Sequence, residues 1–481
     1  MKNNILLLSI VFIPVAGAFV LPLIGWVSKS VRNVLAFILI SVSFVLSASL
    51  IPFVMSGQTA SFNMPLAFGF NMAFTADNLA VFMACVSSLI SAIIILYSFD
   101  YISHYEDQNE YYSMVVLFCG SMMGIVYSAN LIFLFIFWEL TAITSWRLIG
   151  YFREKTHVLK ADKAFLITVF GALLMLIGFI AIYQQTGSFD LAVIKEAVKT
   201  HPIPDILLGF ILIGFLSKSA TLPFHTWLPD AGVAPSPVTA LLHAAVLVKI
   251  GVYVFARLFI ATFSIGQVWH VIVPTIAVAS VLVSAAAAMV ETDLKRLIAY
   301  STVSQIGFIF FGLSTGNVIG VAGGLLYILM HGLAKAGLFL SAGVIEQKTK
   351  VRDITRLGGL FSAMPVTAMS FLLCAFSVMG VPPFGGFFSK YMVFVGAIQA
   401  KQYLLSAFLL AGAFMTVIYL LRVFNLVFLG EAKTTPVKEG SALMVSCIAT
   451  LAALSIIGGL FVGYPMEFAR TAAAQMLGVI K

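Results

Sequence analysis

Apolar runs of about 20 residues, the length that crosses the hydrocarbon of a bilayer as a helix, recur along this sequence from Ile5 to Val462 with no long polar stretch between them. They predict fourteen spans, beginning near Ile5, Val34, Asn78, Ser113, Leu131, Ala164, Ile206, Pro237, Val268, Leu297, Val318, Met364, Tyr403 and Ala442. The expected fold class is therefore an all-α integral membrane protein. The tight junction near Asn130 and the short run Leu297 to Leu313 are the two places where the pattern can be divided differently. The first run, Ile5 to Trp26, follows a single Lys2 and carries no small-residue cleavage site, so it reads as a retained span at which the mature protein begins.

Two of the runs cannot be continuous helices. The seventh reads Gly214-Phe-Leu-Ser-Lys-Ser-Ala-Thr-Leu-Pro-Phe-His-Thr-Trp, and the twelfth reads Met379-Gly-Val-Pro-Pro-Phe-Gly-Gly-Phe-Phe-Ser-Lys390. Proline removes a backbone donor and clashes with the turn before it, so each run must break, and each places a lysine, Lys218 or Lys390, beside the break. Paired broken helices at corresponding positions of two halves are the mark of an inverted repeat around a transport pathway; a pair of packing kinks is the alternative. The expected organisation is spans one to three over residues 1–112, a five-helix repeat over 113–263, a second inverted one over 264–430, and the fourteenth span with a tail over 431–481.

Composition agrees with a membrane environment. Of 481 residues, 61% are hydrophobic and 10% charged, whereas soluble domains are roughly one quarter charged. The net charge of +8 would point to nucleic acid in a soluble protein, but here the basic residues cluster in short loops, which is a topology signal. In the fourteen-span register, sixteen Lys and Arg fall on one side, among them Lys29, Arg32, Arg153, Lys295, Lys348 and Arg422. Seven fall on the side of the termini: Lys2, Lys195, Lys199, Arg257, Lys401, Arg470 and Lys481. The positive-inside rule then puts both termini outside the cytoplasm of a multi-pass cell (inner) membrane protein. Cys85, Cys119, Cys374 and Cys447 each stand alone in apolar sequence, without spacing for zinc or an iron-sulfur cluster. No phosphate-binding or dinucleotide-binding motif is present. No cofactor or metal is expected in this chain, and any redox step belongs to another.

Four of the 27 Lys and Arg remain within apolar runs: Lys218, Lys249, Lys335 and Lys390. Of the 19 acidic residues only Glu139 sits mid-span. A charge at the bilayer centre costs at least about 2.5–3.5 kcal/mol, so five of them imply a hydrated, working interior. Burial disfavours the charged form of a carboxylate and of an ammonium alike, while an opposite charge nearby restores it. Glu139 with Lys218 is on that ground a pair able to gate a proton, or else a purely structural buried ion pair. His243 precedes Lys249 by six residues, and His331 precedes Lys335 by four and shares its helix face. Alternating lysine and histidine with water between them make a proton relay; a lone buried histidine such as His243 is as readily structural. His225 and Asp230 read as a water-facing loop, where hydrogen bonding and proton entry are equal readings. Asp77 and the acidic residues from Asp100 to Glu110 read as solvated loop.

At these residues the chain resembles the antiporter-like, proton-translocating subunit family shared by respiratory complex I, Mrp-type cation/proton antiporters and membrane-bound hydrogenases. The resemblance rests on Phe137-Trp-Glu-Leu-Thr, on Lys218-Ser-Ala-Thr-Leu-Pro-Phe-His-Thr-Trp-Leu-Pro-Asp-Ala with Pro235-Ser-Pro-Val-Thr-Ala-Leu-Leu-His-Ala-Ala, on Asp293-Leu-Lys-Arg-Leu-Ile-Ala-Tyr-Ser-Thr-Val-Ser-Gln-Ile-Gly, and on Gly386-Phe-Phe-Ser-Lys. It implies fourteen helices, inverted repeats, a Glu139/Lys218 pair, a central relay through Lys249, His331 and Lys335, and Lys390 as the terminal proton site. Arg147 departs from the family pattern, since an apolar residue is expected there, and a cation eight residues after Glu139 would disturb the pair. The sequence stops soon after the fourteenth span, so the long lateral helix of one complex I subunit is not expected. The implied function is a proton-translocating subunit, part of a translocase, in a complex I-like or hydrogenase-type redox complex. Its partners would be other membrane subunits, a peripheral iron-sulfur arm, and lipid. The alternative is a subunit of a Mrp-type sodium/proton antiporter, in which sodium moves as well. A transporter acting alone fits less well, because the charges form a string and not one compact site.

Overall fold

The computed structural model describes residues 2–66, 71–433 and 438–480. Lys481, one of the charges counted above, lies outside the described residues, as does the side chain of Lys2. Among the described residues, twelve helices are long and apolar enough to cross a membrane: Asn4–Val27, Lys29–Met55, Asn78–Tyr101, Gln108–Tyr127, Leu131–Ile149, Lys155–Thr186, Ser236–Ile260, Trp269–Val290, Leu294–Leu313, Val318–Thr349, Tyr403–Phe428 and Ala442–Leu460. Each coincides with an expected span. The two expected spans outside this set are the two that the prolines break. The seventh is the helix Asp205–Lys218, which stops at the lysine. The twelfth is two helices, Pro365–Met379 and Gly385–Gln399.

The boundaries have local causes. Ser28, Asp77, Asn130, Asp293, Asn317 and Ser441 each precede an apolar run, and their side-chain oxygens accept from first-turn N–H groups. Each such cap contributes about 1 kcal/mol. The chain thus enters each of these spans at a polar residue that supplies the bond the helix cannot make for itself.

Burial divides the helices into an inner and an outer set. The apolar window of Ser236–Ile260 is wholly buried and that of Val318–Thr349 is 94% buried, whereas those of Asn4–Val27, Lys29–Met55 and Tyr403–Phe428 are one third buried. The outer set therefore offers its apolar faces to lipid. Val318–Thr349 is the hub: it packs against Leu294–Leu313, both halves of the broken twelfth span, Ala442–Leu460 and the start of Ser236–Ile260. Its 32 residues make a rod of about 48 Å, longer than the roughly 30 Å of hydrocarbon, so His331 and Lys335 fall in its middle. Small residues set the close approaches. A Cβ on Gly251 would lie 2.4 Å from the Phe215 carbonyl oxygen, which holds the helix of Lys249 tightly against that of Lys218.

One backbone pattern occurs twice. Leu131 N donates to Phe189 O and Leu191 N to Ala129 O, both at 2.9 Å. Leu294 N donates to Arg352 O and Ile354 N to Thr292 O, again at 2.9 Å, each residue displaced along the chain by the same number. Two elements were not expected. Residues Ala60–Pro65 and Asn71–Ala76 form an antiparallel hairpin with Ala60 opposite Ala76. After the last span, the helix Gly463–Met476 buries Phe468, Ala469, Ala472 and Ala473 and packs on Asn78–Tyr101 and Val318–Thr349.

Candidate functional site

The four mid-span lysines are interior: Lys218, Lys249 and Lys335 are 0% exposed and Lys390 5%. Lys218 is the last residue of its helix. Its ammonium donates to the Trp138 carbonyl at 3.1 Å and lies 5.3 Å from the centre of the Trp138 ring. Glu139 is the next residue, so the two groups expected to act as a pair are neighbours without a direct ion-pair contact. Among the described residues no cationic nitrogen comes within 4 Å of the Glu139 carboxylate, and its buried Oε1 has no hydrogen-bond partner. The backbone carbonyl takes the ammonium, so the two charges are neighbours linked through Trp138. Arg147 does not compete for Glu139. Its guanidinium grips both carboxylate oxygens of Glu110, one contact being Nη2 to Oε2 at 2.9 Å, and Arg153 shares that carboxylate at 2.7 Å. Glu110 is thereby a partner of Arg147 and not the freely solvated acid its sequence position implied.

The centre is built on an irregular helix. Val246 N donates to Leu241 O, five residues back, a widened turn of the kind frequent at functional sites. His243 sits in that turn, wholly buried, 4.4 Å from the Phe339 ring centre, with both ring nitrogens unpartnered. One turn on, the Lys249 ammonium meets His331 Nδ1 at 2.7 Å, and His331 Nε2 has no partner. Buried polar atoms left unpaired cost about 1–3 kcal/mol each, and such a cluster of orphans is where ordered water belongs.

From Lys335 a string of closely spaced polar groups leads to Lys390. Lys335 donates to Ser301 Oγ at 2.6 Å and to Ile298 O at 3.2 Å. Ser301 Oγ meets the Tyr419 hydroxyl at 2.7 Å, and Gln305 Nε2 donates to that hydroxyl at 3.5 Å and to Thr416 Oγ1 at 3.2 Å. The Tyr327 hydroxyl donates to Gln305 Oε1 at 2.6 Å and reaches Val378 O at 3.5 Å. Val378 O accepts from Lys390 at 2.7 Å, and the Lys390 ammonium lies 4.6 Å from the Phe308 ring centre. Ser301, Gln305, Tyr327, Thr416 and Tyr419 were not singled out in the sequence. Ser301 and Gln305 are four apart on one helix face within a motif that was read, which is the one available signal. The lysines of this region have only carbonyl, hydroxyl and imidazole partners, and no carboxylate among the described residues.

The two ends of the bundle carry the compensated charges. At one end Asp230 binds Lys163 at 2.7 Å and Arg296 at 2.5 Å, Arg296 also binds Glu291 at 3.0 Å, and Lys295 binds Glu346 at 3.0 Å. His225 is half-buried with its Nδ1 unpartnered and stands apart from the central relay. At the hairpin end Asp77 is no solvated loop acid, and Arg257 is no loop cation. They form a two-pronged ion pair, Nη2 to Oδ1 at 2.8 Å, with side chains 16% and 11% exposed. Burial would raise the Asp77 carboxyl, but the guanidinium and the Ala80 N–H more than offset it and hold it below the ordinary carboxylate range. Tyr253, one turn before Arg257, accepts from Arg257 Nε at 3.1 Å and donates to Val126 O. Asp77 and Arg257 border a cavity of about 390 Å³.

Comparison with known proteins places this architecture. Residues 128–416 match the model described as "NADH:quinone oxidoreductase/Mrp antiporter, TM", and residues 64–112 match "NADH-Ubiquinone oxidoreductase (complex I), chain 5 N-terminus". The chain is 36% identical over 400 residues to a probable K(+)/H(+) antiporter subunit of Rhizobium meliloti, covering 82% of this chain and 40% of that one. It is 33% identical to an Na(+)/H(+) antiporter subunit of Staphylococcus aureus, covering 94% of this chain and 61% of that one. It thus spans between 40% and 61% of the length of these curated relatives. In structure it is similar to a chain of the Mrp complex from Dietzia sp., with a TM-score of 0.92 at 22% identity over 99% of this chain and 98% of that one. A chain of the membrane-bound sulfane sulfur reductase, an archaeal respiratory membrane complex, gives 0.89 at 22% identity over 98% of both. With the matched domain running through both broken spans and every mid-span lysine, this membrane protein belongs to the NADH:quinone oxidoreductase/Mrp antiporter transmembrane family.

Proposed function

We propose that this chain is the proton-translocating subunit of a larger membrane complex, and that Glu139, Lys218, Lys249, His331, Lys335 and Lys390 carry the proton, with His243 and the more distant His225 as accessory groups. One observation carries this reading: lysines buried at membrane depth whose hydrogen-bond partners are neutral. A fixed buried charge without a counter-ion costs several kcal/mol, so such a site is tenable for a group that gives up and regains its proton. The Lys249–His331 contact of 2.7 Å places two exchangeable groups side by side, and the string from Lys335 to Lys390 supports onward transfer. The recurring clasp at Leu131/Phe189 and Leu294/Arg352 supports two inverted repeats, over 113–263 and 264–430. Fourteen crossings follow if each broken run is counted as one.

The driving partner has two readings. A redox arm with iron-sulfur subunits would place the chain beside the subunits of respiratory complexes. The names of the curated relatives fit a second reading equally, a subunit of a cation/proton antiporter with membrane partners and sodium or potassium as the exchanged ion. Both use the same buried residues, and the subunits that co-purify separate them. The shared reading is tested with the intact complex in inverted vesicles. Glu139→Gln and Lys249→Met are expected to reduce proton transport to a small fraction of the parent's while the complex still assembles; normal transport by the assembled Lys249→Met complex overturns it.

A further inference from the structure

The cavity at the hairpin end belongs to no step described so far. It is a half-open recess of about 390 Å³ walled by the hairpin (Ser61, Thr75), by Ser128, by Asp190, by Thr262 and by Gln475 of the final helix. At roughly 30 Å³ per water it has room for on the order of ten molecules, and its walls offer hydroxyl, amide and carboxylate groups and the Lys195 ammonium as partners for water. Its inner wall is the Asp77–Arg257 pair. Behind that pair, on the same helix, Tyr253 is one turn nearer the membrane centre and Lys249 another turn further, so the cavity wall and Lys249 are separated by about 12 Å along the axis. Tyr253 is itself wholly buried, bonded to Arg257 on one side and to the Val126 carbonyl on the other. A polar recess, an ion pair, a phenol and a buried lysine therefore follow one another inward, with Arg257, Tyr253 and Lys249 on one helix. A buried ion pair is often no more stabilising than apolar packing of the same volume, so whatever this one contributes to stability does not by itself call for charges at this place. A polar plug that a proton or a water chain can cross when it parts does call for them.

We propose that this cavity is a water-filled vestibule for the Lys249 centre, and that the Asp77–Arg257 pair, backed by Tyr253, is the barrier between them. The proposal rests on the reading that Lys249 carries protons. It gives the first half of the chain its own aqueous contact at the hairpin end, separate from Lys390 in the second half.

Two readouts on the intact complex in sealed vesicles test it. The first is passive proton leak under an imposed pH gradient. Asp77→Asn is expected to raise the leak several-fold, and Lys249→Met added to it is expected to return the leak to the parent level. The second is labelling of Tyr253→Cys by a small charged thiol reagent added from the hairpin side, against a parent that keeps its four natural cysteines. The introduced thiol is expected to stay unlabelled with the pair intact and to be labelled when Asp77→Asn is combined with it. Arg257→Lys, which keeps the charge and loses the forked geometry, serves if Asp77→Asn assembles poorly, and it is expected to leak and to admit the label to a smaller extent. An assembled variant of the pair that neither leaks nor admits the label overturns the vestibule while leaving the relay intact. Normal transport by Lys249→Met, with the pair untouched, is the distinct outcome that removes the relay itself.

Discussion

Lys390 shows what a single side chain can and cannot reveal. Its ammonium donates to Val378 O, one of the last carbonyls of Pro365–Met379 and so an acceptor that the broken helix leaves over. That bond fits a terminal proton carrier, and it fits equally a lysine that only caps the break. Substitution separates the two. Arginine keeps the donor and the charge but stays protonated, so Lys390→Arg is expected to assemble normally and to fail in proton release, as Lys390→Met does; an arginine variant that pumps at the parent rate makes Lys390 scaffold. Asp77 gives a prediction in pH. Its carboxyl is held below the ordinary value in the folded chain, so its contribution to stability is present above the unfolded value of about 3.9 and is lost as pH falls through the lower folded value. Thermal unfolding of the detergent-solubilised complex should therefore lose more stability on acidification in the parent than in Asp77→Asn, and parallel pH profiles would contradict this. The residues that could be read from the sequence are those whose burial is expensive: a lysine or glutamate inside an apolar run stands out because it costs at least about 2.5–3.5 kcal/mol there. Ser301, Tyr327 and Tyr419 carry no comparable penalty, since hydroxyls satisfy themselves on a neighbouring carbonyl, and so the neutral part of the string was invisible. Asp77 and Arg257 were misread for a related reason: 180 residues apart, each looked like a solvated end of a span until the fold joined them.

Among the elements, the two broken spans were legible because proline forbids the alternative, whereas the widened turn at 241–245 was not. That turn contains no glycine or proline, and it packs against both Val318–Thr349 and Asn78–Tyr101, partners that the local sequence does not announce. The hairpin was missed because residues 60–76 are neither a clean alternation nor an apolar run. At the second break the geometry makes a definite demand. A Cβ on Gly386 would fall 1.8 Å from the carbonyl oxygen of Ser377, which is backbone and cannot swing aside. Gly386→Ala must push Gly385–Gln399 away from the end of Pro365–Met379 and so stretch the Lys390–Val378 bond. Overpacking of this kind costs about 1–3 kcal/mol, and the expected result is a lower unfolding temperature of the purified complex together with weaker transport. Gly463→Ala, where a Cβ meets nothing within 4 Å, is the matched control. An unchanged Gly386→Ala would mean that the two half-helices are not packed as closely as described.

At the scale of the molecule, the order of helices and the two ends of the bundle follow from where the polar residues interrupt the apolar runs, and twelve expected spans recur among the described residues as helices long enough to cross a membrane. Orientation in the membrane is a separate matter, carried by charge. Of the basic residues on the side opposite the termini, Arg147, Arg153, Lys163, Lys295, Arg296 and Arg352 are in ion pairs, but pairing does not cancel their effect, because topology follows Lys and Arg and hardly responds to acids. On the side of the termini, Arg257 is buried against Asp77 and is no loop charge at all. By the same criterion Arg32 and Lys295 are buried on the opposite side, so removing all three leaves fourteen against six, and the bias is the same in the fold as in the sequence. The end bearing the Asp230, Arg296 and Lys295 network is then expected in the cytoplasm, and the hairpin, the cavity and both termini outside it. Reporter fusions check this directly: a reporter active only in the cytoplasm should work when inserted between Gly150 and Lys155, and a reporter active only outside should work when fused after Lys481. Activity of the cytoplasmic reporter at the C-terminus would place the vestibule on the cytoplasmic side and reverse the direction in which Lys249 and the hairpin end exchange protons, or else make the number of crossings odd.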